Sequence, residues 1–196
     1  MVRLHRSLKS EYNDYHLSHI AGCDHAGSKA ISGPIVGAAV ILPHTFYNEI
    51  LYNSKSMTSS PIHLYLKIKH HAVAWSIAIV DHEKINSIGV AHASQLAIHN
   101  AIESLTKLPN LLLISGQSFD GYQTIPHQCI PQGDKIYAAI AAANLLSKIY
   151  RDRYMERLDK DFPAYGWKKN KGYATATHKQ MLKQFGPTLY HRKSLD

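Results

Sequence analysis

The chain has 196 residues, with 22 Lys and Arg against 14 Asp and Glu and 14 His in reserve, for a formal charge of +8. With 45% hydrophobic residues and no apolar run long enough to span a bilayer, the composition excludes a disordered polyelectrolyte and a helical membrane protein. Length favours a single domain over 1–196, with a core at about 18–162 and a basic segment at about 163–196.

The N-terminus opens on Arg3, His5, Arg6 and Lys9 but meets Glu11, Asn13 and Asp14 without an apolar stretch, so no secretion signal is expected. Residues 20–23 and 34–42 read as two buried strands flanking a Gly-rich polar turn at 24–33, a hairpin with chemistry at its bend. A third apolar run, 73–80, precedes a stretch with helical spacing (Ile88, Ala91, Leu96, Ala97, Ile98, Ala101, Ile102, Leu105) that ends before Pro109. Residues 111–114 form a short buried strand that stops at Ser115-Gly116. After Gly133-Asp134 a long helix is predicted over about 137–161, ended by Phe162-Pro163, and a further one over about 175–185, closed by Gly186-Pro187. A hairpin followed by alternating strands and helices predicts an α/β domain, a mixed β-sheet flanked by helices with a C-terminal helical segment.

The positive charge is local. Between Phe162 and Leu195 there is no acid, while Lys168, Lys169, Lys171, Lys179, Lys183, Arg192 and Lys193 alternate with Tyr165, Trp167, Tyr173, Phe185 and Tyr190. Bases neutralise phosphates and rings stack on bases or sugars, so this mixture is the composition of a nucleic-acid face; a solvated basic surface is the other explanation. Two cysteines, Cys23 and Cys129, cannot build a disulfide framework, and a cytoplasmic location is expected.

Two acids sit beside glycine, Asp24 before Ala26-Gly27 and Asp134 after Gly133. Each is open to two readings, a ligand for a hard cation or a turn former. His25 is open to three: a metal ligand, a general base or a surface residue.

Five segments in order resemble the ribonuclease HII family. Ala21-Gly22-Cys23-Asp24 with Ala26-Gly27 and Gly33-Pro34-Ile35-Val36 resembles the family's first strand, its Asp-Glu-Ala-Gly-Arg-Gly turn and the next strand. Asn53-Ser54-Lys55 is similar to an Asp-Ser-Lys segment. Gly133-Asp134 with Ile140-Ala141-Ala142-Ala143 and Lys148-Ile149-Tyr150-Arg151-Asp152 resembles the loop of the fourth carboxylate and its Ala-rich helix. Tyr165-Gly166-Trp167, Lys171-Gly172-Tyr173 and His178 resemble the segment that lies against the substrate. Gly186-Pro187-Thr188 with His191-Arg192-Lys193-Ser194 resembles the C-terminal signature.

The resemblance implies a ribonuclease-H-like fold that binds RNA–DNA hybrid, or duplex DNA carrying a ribonucleotide, and cuts the RNA side with divalent metal held by four acids. Asp24 and Asp134 keep two of those positions, but His25 stands where the family has Glu and Ser115 where it has Asp. Mg²⁺ or Mn²⁺ is therefore expected to bind weakly, on Asp24 and Asp134 with His25 as a further candidate. Asp120, the next carboxylate downstream of Ser115, is a possible replacement. The family's Gly-Arg-Gly is Gly27-Ser28-Lys29 here, and Lys29 can meet a phosphate but cannot reproduce a glycine backbone contact. Lys55, Lys148, Lys171, Tyr173 and Arg192 complete the expected substrate contacts, in a monomer that meets no membrane. Three functions follow: a hybrid-binding protein with cleavage lost or strongly impaired, an active endoribonuclease with altered metal use, or an interaction protein that no longer uses this face.

Overall fold

The structure, a computed structural model, describes residues 18–46 and 60–193. A five-stranded sheet in the order β3-β2-β1-β4-β5 is formed by β1 (Ile20–Ala26), β2 (Ile35–Ile41), β3 (Ala74–Val80), β4 (Leu111–Ser115) and β5 (His127–Ile130). The first three strands pair antiparallel, whereas β4 runs parallel to β1 and β5 parallel to β4, which is the mixed sheet expected. β1 continues past Cys23 to Ala26, so Asp24 and His25 are strand residues, paired with Ala38 and Gly37, and the turn begins after them. The edge strand β5 has no counterpart among the sequence expectations, because four half-exposed residues, His-Gln-Cys-Ile, carry neither alternation nor an apolar run.

The helices are α1 (Pro61–His71), α2 (His82–Glu103), α3 (Ala138–Asp161), α4 (Trp167–Asn170) and α5 (Ala176–Phe185). α1 buries little beyond Tyr65 and Ile68, too sparse a pattern to read. α2 starts ahead of the apolar spacing because the Asp81 carboxylate caps it, accepting the Lys84 N–H at 2.7 Å, and it bends at Gly89, where φ is +81°. Among the described residues, no helix is long and apolar enough to cross a membrane.

α1 and α3 cover one face of the sheet through Ala38, Val40, Ile68, Ala142, Leu145 and Leu146. α2 covers the other through Ala21, Cys23, Ile41, Ile98, Ala101 and Ile114. The period of two along β1 directs Gly22 and Asp24 to the α3 face, and Ala21 and Cys23 to the α2 face. A Cβ at Gly22 would collide with the backbone of Ala139 and Ile140, so glycine lets α3 lie directly on β1 and sets its height relative to Asp24. Gly22→Ala is expected to cost about 2–3 kcal/mol, a fall of roughly 4–12 °C in a thermal melt. An unchanged melt would mean that α3 backs away freely.

Candidate active site and nucleic-acid interface

β1 and β4 are parallel neighbours whose chains continue to opposite halves of the sheet, and the space beyond the carboxyl ends of such strands is where α/β sheets bind ligands. Cys23 pairs with Ile114, so the residues after them, Asp24 and Ser115, end side by side. The single turn Gly133–Lys135 brings Asp134 to the same edge, near enough for its charge to act on Asp24.

Asp24 is 6% exposed. Its carboxylate accepts from Asn144 Nδ2 at 2.9 Å and from the His25 backbone N–H at 2.7 Å, and the Ser115 side chain lies near enough to favour the ionised form. Burial pushes this carboxyl up to about 7; Asn144, the His25 N–H and Ser115 pull it down, and Asp134 adds repulsion. Sequence reasoning missed Asn144. The available signal was a polar side chain directly after six apolar residues, Ala138 to Ala143, at the head of α3.

His25 has its Nδ1 buried without a hydrogen-bond partner, and burial lowers its pKa. Asp120 is exposed, and its backbone N–H donates to Gln95 of α2 at 2.9 Å. Among the described residues no three of His, Cys, Asp and Glu lie close enough together to hold a metal ion. Two carboxylates and a hydroxyl do not fit a pair of divalent cations, whose charge they would offset only by half.

The turn after β1 is held from below by two buried arginines that have carbonyls, not carboxylates, as partners. Arg151 donates to Pro34 O (2.9 Å), Lys171 O (2.8 Å) and Ser32 O (3.0 Å). Arg192 donates to Gly33 O through Nε (3.0 Å) and Nη2 (2.9 Å), and to Pro34 O (3.2 Å) and Ser28 O (3.3 Å). Gly27 adopts φ +96°, and a Cβ there would strike Arg151. Arg192 is 7% exposed and committed to the turn, so it shapes the surface from beneath. Lys29 and Lys148 stand exposed, while Lys55, with Asn53 and Ser54, lies outside the described residues.

The C-terminal segment is stitched to this turn. Gly172 O accepts from Ile31 N (2.9 Å) and Ser32 N (3.3 Å), and Ala30 bridges to Tyr173. Tyr173 is 39% exposed, with its ring over the Arg151 guanidinium at 5.2 Å. Lys171 Nζ donates to Glu156 at 2.6 Å. The sheet edge thus carries Asp24, Ser115 and Asp134, and the C-terminal segment brings Gly172 and Tyr173 onto the turn.

A family model described as Ribonuclease HII matches residues 21–194. The chain belongs to the ribonuclease HII family. The Ribonuclease HII of Porphyromonas gingivalis is 45% identical over 186 residues, which cover 94% of this chain and 92% of that one. Among solved structures, the RNase HII described in a PCNA complex from Archaeoglobus fulgidus superposes with a TM-score of 0.72 at 18% identity, over 91% of this chain and 95% of its own. The ribonuclease H2 of Pyrococcus horikoshii OT3 gives 0.69 at 17%, over 89% and 92%. These likenesses show that the fold is that of ribonuclease HII.

In this ribonuclease HII-family chain a pair of neutral imidazoles fixes the backbone of Tyr173. The Thr188 N–H donates to His191 Nδ1 at 2.9 Å, so the proton of the neutral ring sits on Nε2, which faces His178 Nε2 at 3.1 Å. Trp167 Nε1 donates to His178 Nε2 at 3.1 Å, which leaves His178 Nδ1–H to donate to the Tyr173 carbonyl at 2.9 Å. Burial pushes both rings down, His191 to about 4 with His178 contributing. Because the unfolded imidazoles bind protons first, the stability they confer is complete above about pH 6.5 and is lost as pH falls toward 4, by on the order of 1–3 kcal/mol. The NMR ring signals of His191 should hold their neutral positions down to about pH 5.5; a midpoint near 6.5 would remove the network.

Proposed function

We propose that this ribonuclease HII-family protein binds RNA–DNA hybrid, or duplex DNA carrying a ribonucleotide, and that its cleavage of the RNA strand is lost or strongly impaired. The observation that carries this reading is the edge where β1 and β4 end: Asp24, Ser115 and Asp134 converge there with two carboxylates between them. Cleavage by a metal pair needs both the attacking water and the leaving oxygen held by cations, and cations are held only where acids offset their charge. An uncompensated double charge in a half-buried site beside a basic surface is costly. Binding makes no such demand. Lys29 and Lys148 meet phosphates, Tyr173 packs on a sugar, the backbone of Gly27 and Ser28 approaches the strand, Arg192 holds that turn in shape, and Lys171, paired with Glu156, holds the segment that carries Tyr173. The free thiols Cys23 and Cys129 fit a reducing cytoplasm.

The test is a labelled duplex with one embedded ribonucleotide, assayed for binding across salt and for cleavage with Mg²⁺ and Mn²⁺, with Asp24→Ala as control. Expected are an affinity that falls steeply with salt and cleavage no faster than the control. Cutting that Asp24→Ala abolishes overturns the loss of catalysis, and absence of binding overturns recognition. One observation favours a second reading, an active enzyme with altered metal use. The unpartnered buried Nδ1 of His25 is a free donor, and a nitrogen-oxygen set suits Mn²⁺ better than Mg²⁺. Cleavage with Mn²⁺ alone that disappears in His25→Ala would select it.

A further inference from the structure

We propose that the groove between α1 and the outer half of α3 is a second phosphate site, which grips the backbone of the bound duplex about half a turn from the ribonucleotide. It rests on the nucleic-acid reading above and extends it to a surface remote from the acids. A cavity of about 430 Å³ is lined by Tyr65 of α1 and by Tyr150, Arg153, Glu156, Arg157 and Lys160 of α3. Three cations face it against one carboxylate, and that carboxylate is occupied by Lys171 at 2.6 Å. No carboxylate among the described residues lies within ion-pair distance of Arg153, Arg157 or Lys160.

The arginines also stand near aromatic rings. Arg153 lies over the Tyr65 ring at 5.5 Å and Arg157 over the Tyr154 ring at 5.9 Å. A ring contact attracts a guanidinium without consuming its N–H donors, which can still fork onto phosphate oxygens. Lys69 of α1, over Tyr65 at 5.4 Å and Trp75 at 4.2 Å, adds positive charge on the α1 side.

Position decides which anion this groove meets. α3 climbs along β1 and past the sheet edge: Gly22 meets Ala139 and Ile140, Asn144 reaches Asp24, Arg151 lies at Gly27, and Met155 lies at Gly33 and Gly172. The outer half of α3 is therefore level with the recognition turn, on the same end of the molecule as the acids. At 1.5 Å per residue, Arg153 and Lys160 stand about 14 and 24 Å along the axis from Asn144. Half a duplex turn is about 17 Å, so a duplex with one phosphate at Asp24 presents its backbone again at this distance. The Glu156–Lys171 pair ties the groove to the segment that carries Tyr173.

The test compares the full-length protein with a triple variant, Arg153→Gln, Arg157→Gln and Lys160→Gln, by fluorescence anisotropy on two ribonucleotide-containing duplexes. One carries flanks of about 4 base pairs on each side, short of half a turn, and the other about 12. With wild-type melting retained, the variant should lose about tenfold or more in affinity for the long duplex, with a salt slope lower by about 2–3, and should bind the short duplex as wild type does. Tyr173→Ala should weaken both lengths, which tests the reading beneath this one. Unchanged affinity and slope on the long duplex would mean that these charges are merely solvated. Equal losses on both lengths would place them at the ribonucleotide rather than half a turn away. Either result overturns the proposal while leaving the nucleic-acid reading intact, whereas a wild type that binds neither duplex takes down both.

Discussion

Replacing His25 with Glu and Ser115 with Asp together is expected to raise Mg²⁺-dependent cleavage of a ribonucleotide-containing duplex by at least about 100-fold over wild type. Ser115 already stands against Asp24 at the ends of two parallel strands, so an Asp there joins Asp24 and Asp134 without moving the backbone. The gain should be strongly non-additive, since a pair of cations is offset only when all four acids are present. A second readout separates chemistry from folding. Burial and Asp134 already push Asp24 up to about 7, so further carboxylates without a cation repel, and the double variant should melt below wild type in a chelator. Adding Mg²⁺ should restore several degrees by mass action, with little effect on wild type. If the variant gains stability from Mg²⁺ but cuts no faster, the missing acids are not what limits cleavage, and Lys29 in the recognition turn becomes the suspect. If it gains neither, the edge is not a metal site.

Arg151→Ala should destabilise the protein by about 3–5 kcal/mol, a drop of roughly 6–20 °C, more than any change to the exposed cations of the same helix. The side chain is 1% exposed and donates to the carbonyls of Ser32, Pro34 and Lys171. Truncation leaves those acceptors buried and unpaired beneath a turn that has no sheet partner of its own, and opens space between Gly27 and Tyr173. Lysine restores the charge but not the planar fork, so Arg151→Lys should recover less than half of the loss. Arg153→Ala, two residues on and exposed, should change stability by no more than about 0.5 kcal/mol. A melt of Arg151→Ala near wild type would show that water satisfies the three carbonyls and that the turn holds itself together.

Along the sequence Arg192 counts as a substrate contact and Arg151 as part of the segment resembling the Ala-rich helix, because a cation gives no sign along the chain of where it points. Both are consumed by backbone carbonyls from a turn more than a hundred residues away. By contrast, Tyr173 and Lys171 beside Gly172 were placed by resemblance alone, and the tertiary contacts explain their position: the Gly172 carbonyl pairs with the Ile31 and Ser32 N–H groups, drawing the C-terminal segment onto the turn.

What the amino-acid sequence by itself determined was the kind of fold and the order of most of its elements, since apolar periodicity and turn residues are local properties. It placed β1, β2, β3 and β4, the long helix and its successor, while the expectation that His25 and Ser115 replace acids rests on the family resemblance. Only the tertiary structure decided that Asn144 holds Asp24, that Asp24 and His25 are neighbours within a strand, and that His178 and His191 form a neutral pair under Tyr173. It alone brought three cations of α3 against Tyr65 across a groove. The physical reason is that burial, hydrogen-bond partnership and charge compensation belong to pairs of residues far apart in the chain, and such pairs exist only once the sheet has set their distance.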